Sequence, residues 1–123
     1  MRVEEVFHPG TLTCEASDPL AEVARKMAAE HVGALAVLDN DRIIGIISER
    51  DLVRAIAERA DPQEQTALSF ASRQLETATV SDDTKDAARR MLDAGIRHLP
   101  VKQGHMVIGV ISMRDLLAVE TWL

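Results

Sequence analysis

Residues 45–52 read GIISERDL and residues 109–116 read GVISMRDL, two near-copies 64 positions apart. At that offset the match runs backwards without a gap. Thr13 meets Thr77, Ser17-Asp18 meets Ser81-Asp82, and Ala24, Arg25 and Met27 meet Ala88, Arg89 and Met91. Leu35 and Val37 meet Leu99 and Val101. Ile44, Gly45, Ile47, Ser48, Arg50, Asp51 and Leu52 meet Ile108, Gly109, Ile111, Ser112, Arg114, Asp115 and Leu116, which makes 15 identities in all. Self-similarity at a fixed period constrains the architecture before any local propensity does. Two copies are too few for a solenoid, so the chain is expected to form two half-domains related by a pseudo-twofold axis.

At 123 residues the chain is one compact unit with room for a core, whereas either repeat alone would be marginal. A net charge of −6 argues against a nucleic-acid partner, which calls for a basic patch. The aromatic residues are Phe7, Phe70 and Trp122, too few for base-stacking platforms. A single cysteine, Cys14, excludes an internal disulfide and a multi-cysteine zinc site; it reads as a half-buried strand residue. His8, His31 and His105 match no metal spacing, and no metal site is expected. No apolar run approaches a membrane span, and MRVEEVFHPG has no apolar signal core. The expected location is the cytoplasm, with no membrane partner. Trp122 is expected at the core edge or in a dimer contact.

Residues 12–16 alternate as a short strand. Ser17 or Asp18 is a good N-cap with Pro19 in the first turn, and Leu20, Val23, Ala24, Met27 and Ala28 follow the helical period to about Glu30. Met27 and Met91 fall at core positions. Gly33 reads as a helix stop or a point of close approach. ALAVLD and RIIGIIS are two strands joined at Asn40-Asp41, and a second helix runs from about Glu49 to Arg59. The second repeat copies the order: strand 76–80, helix 83–94 with Gly95 as C-cap, strands 98–102 and 106–112 around Gln103-Gly104, and a helix from Met113. Arg89-Arg90 reads as a solvated helix face. The expected fold class is α+β, two tandem β-α-β-β-α repeats at 3–60 and 68–121 joined by a polar linker at 61–67.

The motif that ends each repeat has two readings. Ser-x-x-Asp at a strand-to-helix junction is a capping box: the serine oxygen accepts from the N3 amide and the acid reaches back. It is also a place where free amides and the helix dipole favour phosphate. Arg50 and Arg114 lie in the same first turn, where the dipole disfavours cations, yet arginine suits phosphate. Gly45 and Gly109 weaken an apolar strand three residues earlier, a mark of close approach by a ligand or another backbone. Asp51 and Asp115 can each accept two hydrogen bonds from a ribose diol. An apolar wall, a carboxylate, an arginine and a hydroxyl together describe a nucleotide site.

MAAEHVGALAVLDNDRIIGIISERDLVRAI and MLDAGIRHLPVKQGHMVIGVISMRDLL closely resemble the cystathionine-β-synthase-like (CBS) domain, and their duplication resembles the tandem arrangement called a Bateman module. The resemblance covers about residues 3–120. It implies a non-enzymatic regulatory module that binds an adenosine-containing ligand (AMP, ADP, ATP or S-adenosylmethionine) in clefts between the repeats and acts on a separate, unidentified protein partner. It implies that Ser48, Asp51, Ser112 and Asp115 meet phosphate and ribose, that Thr13 and Thr77 are the family threonine opening the first strand, and that Arg97-His98 face phosphate. The first repeat has Gly33-Ala34 in place of that basic pair, so two sites of unequal strength are expected. No cofactor is obligatory, and Mg would accompany ATP if ATP is the ligand. Apolar helix faces and the resemblance both point to a homodimer. The competing reading is a scaffold or interaction protein whose Ser-x-x-Asp motifs are only helix caps. No nucleophile–base set, paired acid or Walker-type loop suggests an enzyme.

Overall fold

The computed structural model describes residues 1–9, 13–73 and 76–120; Leu12, expected to open a strand, and Trp122 lie outside them. The described chain divides into two compact units rather than the one expected from its length, Thr13–Leu75 and Met1–Leu12 with Glu76–Leu123. Each is a mixed sheet with helices, and together they make a two-repeat α+β protein. Among the described residues no helix is long and apolar enough to cross a membrane.

The first-repeat unit contains β2 (Thr13–Glu15), α1 (Leu20–Glu30), β3 (Ala34–Asp39), β4 (Arg42–Ser48), α2 (Glu49–Ala57) and the short α3 (Ala67–Phe70). Its sheet has the order β2-β3-β4, parallel on one side of β3 and antiparallel on the other. Ala34–Val37 is a continuous buried run, as expected for a central strand covered on both faces. Asn40 and Asp41 both take left-handed φ, 51° and 63°, the two-residue hairpin turn whose twist matches the strands. The second-repeat unit contains β1 (His8–Pro9), β5 (Ala78–Thr79), α4 (Thr84–Ala94), β6 (His98–Gln103), β7 (Met106–Ser112) and α5 (Met113–Glu120), with sheet order β1-β7-β6-β5. Val3, Met91, Leu99, Val101, Ile111 and Leu116 are fully or almost fully buried in one cluster there.

The repeat offset survives in the backbone. Val37 pairs with Gly45 and Val101 with Gly109, and in both hairpins the register shifts at the next residue. The IIS and VIS strands therefore occupy equivalent environments. The correspondence also extends to a segment that the sequence does not reveal. A one-turn 3-10 helix, Val3–Glu5, and β1 dock on the second-repeat unit, while α3 and Ser72 dock in the same way on the first. Val3 N donates to Asp82 O (2.8 Å) and Glu4 N to Val80 O (3.0 Å); Ala67 N donates to Asp18 O (2.9 Å) and Leu68 N to Ala16 O (3.0 Å). Val3 and Ala67 are both fully buried. The segment leading into each repeat is thus part of the other repeat's unit.

Several local expectations are corrected. Neither Ser17 nor Asp18 caps α1. Pro19 is the N-cap, without a side-chain bond. Asp18 instead accepts from Glu15 N (2.9 Å), and the leading amides of α1 go to the connector, Leu20 N to Gln65 O and Ala21 N to Pro62 O. His31, in the left-handed region (φ 56°), ends α1 rather than Gly33, whereas Gly95 ends α4 as expected. The second hairpin turns at Gly104-His105, one residue later than expected, because Gln103 still pairs with Met106. Cys14 is buried, not half-buried. Arg90 is not a solvated surface residue: it reaches Thr77 O, Glu76 (3.2 Å) and Asp82 (3.4 Å).

Candidate functional site

Each repeat ends its long strand at a serine that then caps a helix. Ser48 is extended (φ −120°, ψ 169°) and is the N-cap of α2. Its amide donates to Asp51 Oδ2 (2.8 Å) and its hydroxyl to the same oxygen (3.1 Å), while Asp51 N donates to Ser48 Oγ (3.4 Å). Ser112 N donates to Asp115 Oδ2 (2.8 Å) and Asp115 N to Ser112 Oγ (3.0 Å). Both motifs are complete capping boxes, so the structural reading holds in full. It uses Oδ2 of each carboxylate. Asp51 remains 17% exposed at its side chain. Arg50 and Arg114 are exposed and make no hydrogen bond or ion pair with any described residue.

Strand register decides what lies beside these caps. Ala34 pairs with Ser48, and Glu49 N donates to Gly33 O (2.9 Å). In the second repeat His98 pairs with Ser112, and Met113 N donates to Arg97 O (2.7 Å). Arg97, His98, Ser112, Arg114 and Asp115 are therefore gathered at one end of the β6–β7 hairpin, where the first repeat gathers Gly33, Ala34, Ser48, Arg50 and Asp51. Arg97 is exposed and His98 half-buried. Thr13 pairs with Ala36, two residues along β3 from Ala34. Thr77 immediately precedes β5, whose Ala78 pairs with Val101.

The close approach expected at Gly45 is made by the chain itself. A Cβ there would collide with the carbonyl oxygen of Ser72, which accepts from Ile46 N (2.9 Å) while Ser72 N returns a bond to Ile46 O (2.9 Å). Pro9 faces Gly109 in the other unit. The repeated glycine is a docking point for the leading segment.

The structure adds Lys26 and Arg54, which the sequence does not single out, and gives Arg90 a partner in place of the expected solvated face. Lys26 and Arg90, one repeat apart, donate to the carbonyls of Thr13 and Thr77. Arg54 Nη2 lies 3.4 Å from Asp51 Oδ1 and donates to Phe70 O (3.0 Å), with its guanidinium 5.2 Å from the Phe70 ring centre. The three-residue spacing of Asp51 and Arg54 on a helix was the available signal. Two open hollows in the first-repeat unit, about 330 and 470 Å³, are bordered by Glu15, Leu38 and Thr66, and by Met27, His31 and Leu52. Ser48, Arg50 and Asp51 line neither. Among the described residues no group of three or more His, Cys, Asp or Glu is placed to hold a metal ion.

Comparison with known proteins gives a consistent result. The family model of the CBS domain matches residues 3–58 and again 67–120. An uncharacterised protein of Methanopyrus kandleri is 32% identical over 98% of this chain, which spans 63% of that protein. A mitochondrial CBS domain-containing protein of Arabidopsis thaliana is 30% identical over 86% of this chain, which spans 54% of it. Among solved structures, a CBS domain protein from Pyrobaculum aerophilum complexed with AMP is 30% identical, with a TM-score of 0.82 over 98% of this chain and 99% of that one. A CBS domain pair in complex with 5′-methylthioadenosine and S-adenosylmethionine shares the fold, with a TM-score of 0.88 at 19% identity over 99% and 97% of the two chains.

Proposed function

The chain belongs to the CBS domain family and carries two copies of the domain in tandem, and from that premise we propose that it is a non-catalytic, cytoplasmic regulatory module that binds an adenosine-containing ligand. The carrying observation is the pair Arg50 and Arg114. Each stands in the first turn of a helix, beside a capped carboxylate, and bonds to no described residue. A guanidinium left unpaired at a dipole end that disfavours it is suited to a phosphate. Asp51 and Asp115 accept ribose hydroxyls, Ser48 and Ser112 stand at the phosphate end, and Thr13 and Thr77 open the strands alongside. AMP is the first ligand to test, because a relative of nearly the same length is described with it; S-adenosylmethionine, ADP and ATP with Mg follow. His98, opposite Ser112, and Arg97 before it make the site into which they project the stronger phosphate site of the two. The protein partner that reads the bound state is separate, and the module works as a homodimer.

The completeness of the capping boxes favours a second reading, a scaffold in which Ser-x-x-Asp only ends strands and starts helices. One experiment separates the two. Melting temperature is recorded with the adenosine compounds, and AMP affinity and folding stability are then measured on Asp51→Ala, Asp115→Ala and Arg97→Ala. Loss of hydrogen bonds to a charged acceptor costs about 1.5–3 kcal/mol, roughly tenfold to a hundredfold in affinity. Loss of a cap costs about 1 kcal/mol of stability. On the ligand reading both aspartate variants show the affinity loss, and Arg97→Ala weakens AMP while leaving adenosine unchanged. Affinity that stays constant while stability falls assigns the motif to capping alone.

A further inference from the structure

Arg54 is held from several sides. Besides Asp51, the Phe70 carbonyl and the Phe70 ring, its Nη1 lies 3.6 Å from Glu58 Oε2. The clamp belongs to the first repeat alone, since the corresponding positions of the second hold Ala118 and Val6. A carboxylate offers about four lone-pair positions. On Asp51, the Ser48 amide and hydroxyl take two at Oδ2, and Arg54 takes one at Oδ1. One acceptor position is left for a ribose that presents two vicinal hydroxyls.

We propose that Arg54 is a specificity-determining residue of the first repeat: by occupying Oδ1 it reduces Asp51 to an acceptor of a single hydroxyl. The inference rests on Asp51 being a ribose acceptor. With Arg54 in place, a ribonucleotide and its 2′-deoxy analogue satisfy Asp51 equally. With Arg54 removed, only the ribonucleotide can use the position set free. The charge of Arg54 also attracts the phosphate, but that contribution is common to both ligands and cancels in their ratio.

The test is calorimetry with AMP and 2′-deoxy-AMP on full chains carrying Asp115→Ala, so that the first repeat is read alone. In that background Arg54→Ala is expected to raise the ratio of AMP to 2′-deoxy-AMP affinity by about two- to fivefold, the factor by which displacing an exposed ion pair weakens binding. Phe70→Leu, which loosens the guanidinium without removing it, shifts the ratio in the same direction by less. Arg54 is half-exposed, so its loss is expected to leave the fold intact, and Phe70→Leu supplies a second reading if it does not. An unchanged or lowered ratio in Arg54→Ala, with AMP binding still dependent on Asp51, overturns the inference and leaves the ligand reading standing. AMP binding that is present in the natural chain but absent from every Asp115→Ala chain overturns the inference alone; binding that is absent from the natural chain as well, or that survives Asp51→Ala undiminished, overturns both.

Discussion

Cys14 illustrates how one residue's surroundings set its chemistry. Burial in β2, and then the nearby negative charge of Asp18, push its thiol from the usual 9.0 up to about 12. The folded chain therefore keeps this proton at a pH where the unfolded chain has lost it. Above pH 9 the unfolded state binds fewer protons than the folded state, so stability falls as pH rises through 9 toward about 12. Chemical denaturation across that range is expected to show a steeper alkaline loss in the natural chain than in Cys14→Ala. Equal slopes would place the thiol in a more solvated site. The same burial keeps the thiolate, the reactive form, out of reach in the folded state. The sequence placed Cys14 correctly on a strand, but its depth depends on neighbours brought in from other elements.

At the scale of elements, the strands and long helices were legible because each is written in a period: 3.6 in α1 and α4, an apolar run in β3, two short turns between strands. The leading segments were not. The 3-10 helix, β1 and α3 are two to four residues long, too short for any period. Their repeat equivalence is carried by backbone hydrogen bonds, which leave no mark on side-chain identity; Val3 aligns with Ala67 and Phe7 with Ala71. The candidate site was legible for a matching reason. Ser-x-x-Asp needs particular side chains at particular spacings, whereas the hold of Arg54 on Phe70 spans 16 residues. Gly45 is the trace that docking does leave. Gly45→Ala is expected to break both Ile46–Ser72 bonds and cost about 1–3 kcal/mol at 0.5–1.5 kcal/mol per bond, read from the denaturation midpoint. A loss below about 0.5 kcal/mol would mean that the connector shifts aside without cost.

For the whole molecule, the surface carries the next constraint. Val53 is 66% and Ile56 77% exposed on α2, and Leu92 is 73% exposed on α4 and Leu117 53% on α5. Val53 and Leu117 occupy the same position in the two repeats, so exposure at that position is duplicated. Exposed apolar side chains on helices are available to an association surface, and a surface that is the same on every copy is suited to a closed dimer. Light scattering is expected to give twice the 13.5 kDa chain mass, and Val53→Glu with Leu117→Glu is expected to give the monomer. A natural chain that is monomeric at micromolar concentration would remove the dimer from the proposal.

The exchange of leading segments also sets an order of events during biosynthesis. Ser72 meets Ile46 across roughly 26 residues of chain, whereas His8 meets Val110 across roughly 100. At about 5–20 residues per second, the first contact has its partner within about one to five seconds of synthesis, the second only after about five to twenty. The first-repeat unit can close on the ribosome while β7 is still unmade. Through that interval Val3, destined for a fully buried site, has no core to enter, and a segment translated before the first repeat finds its place after it.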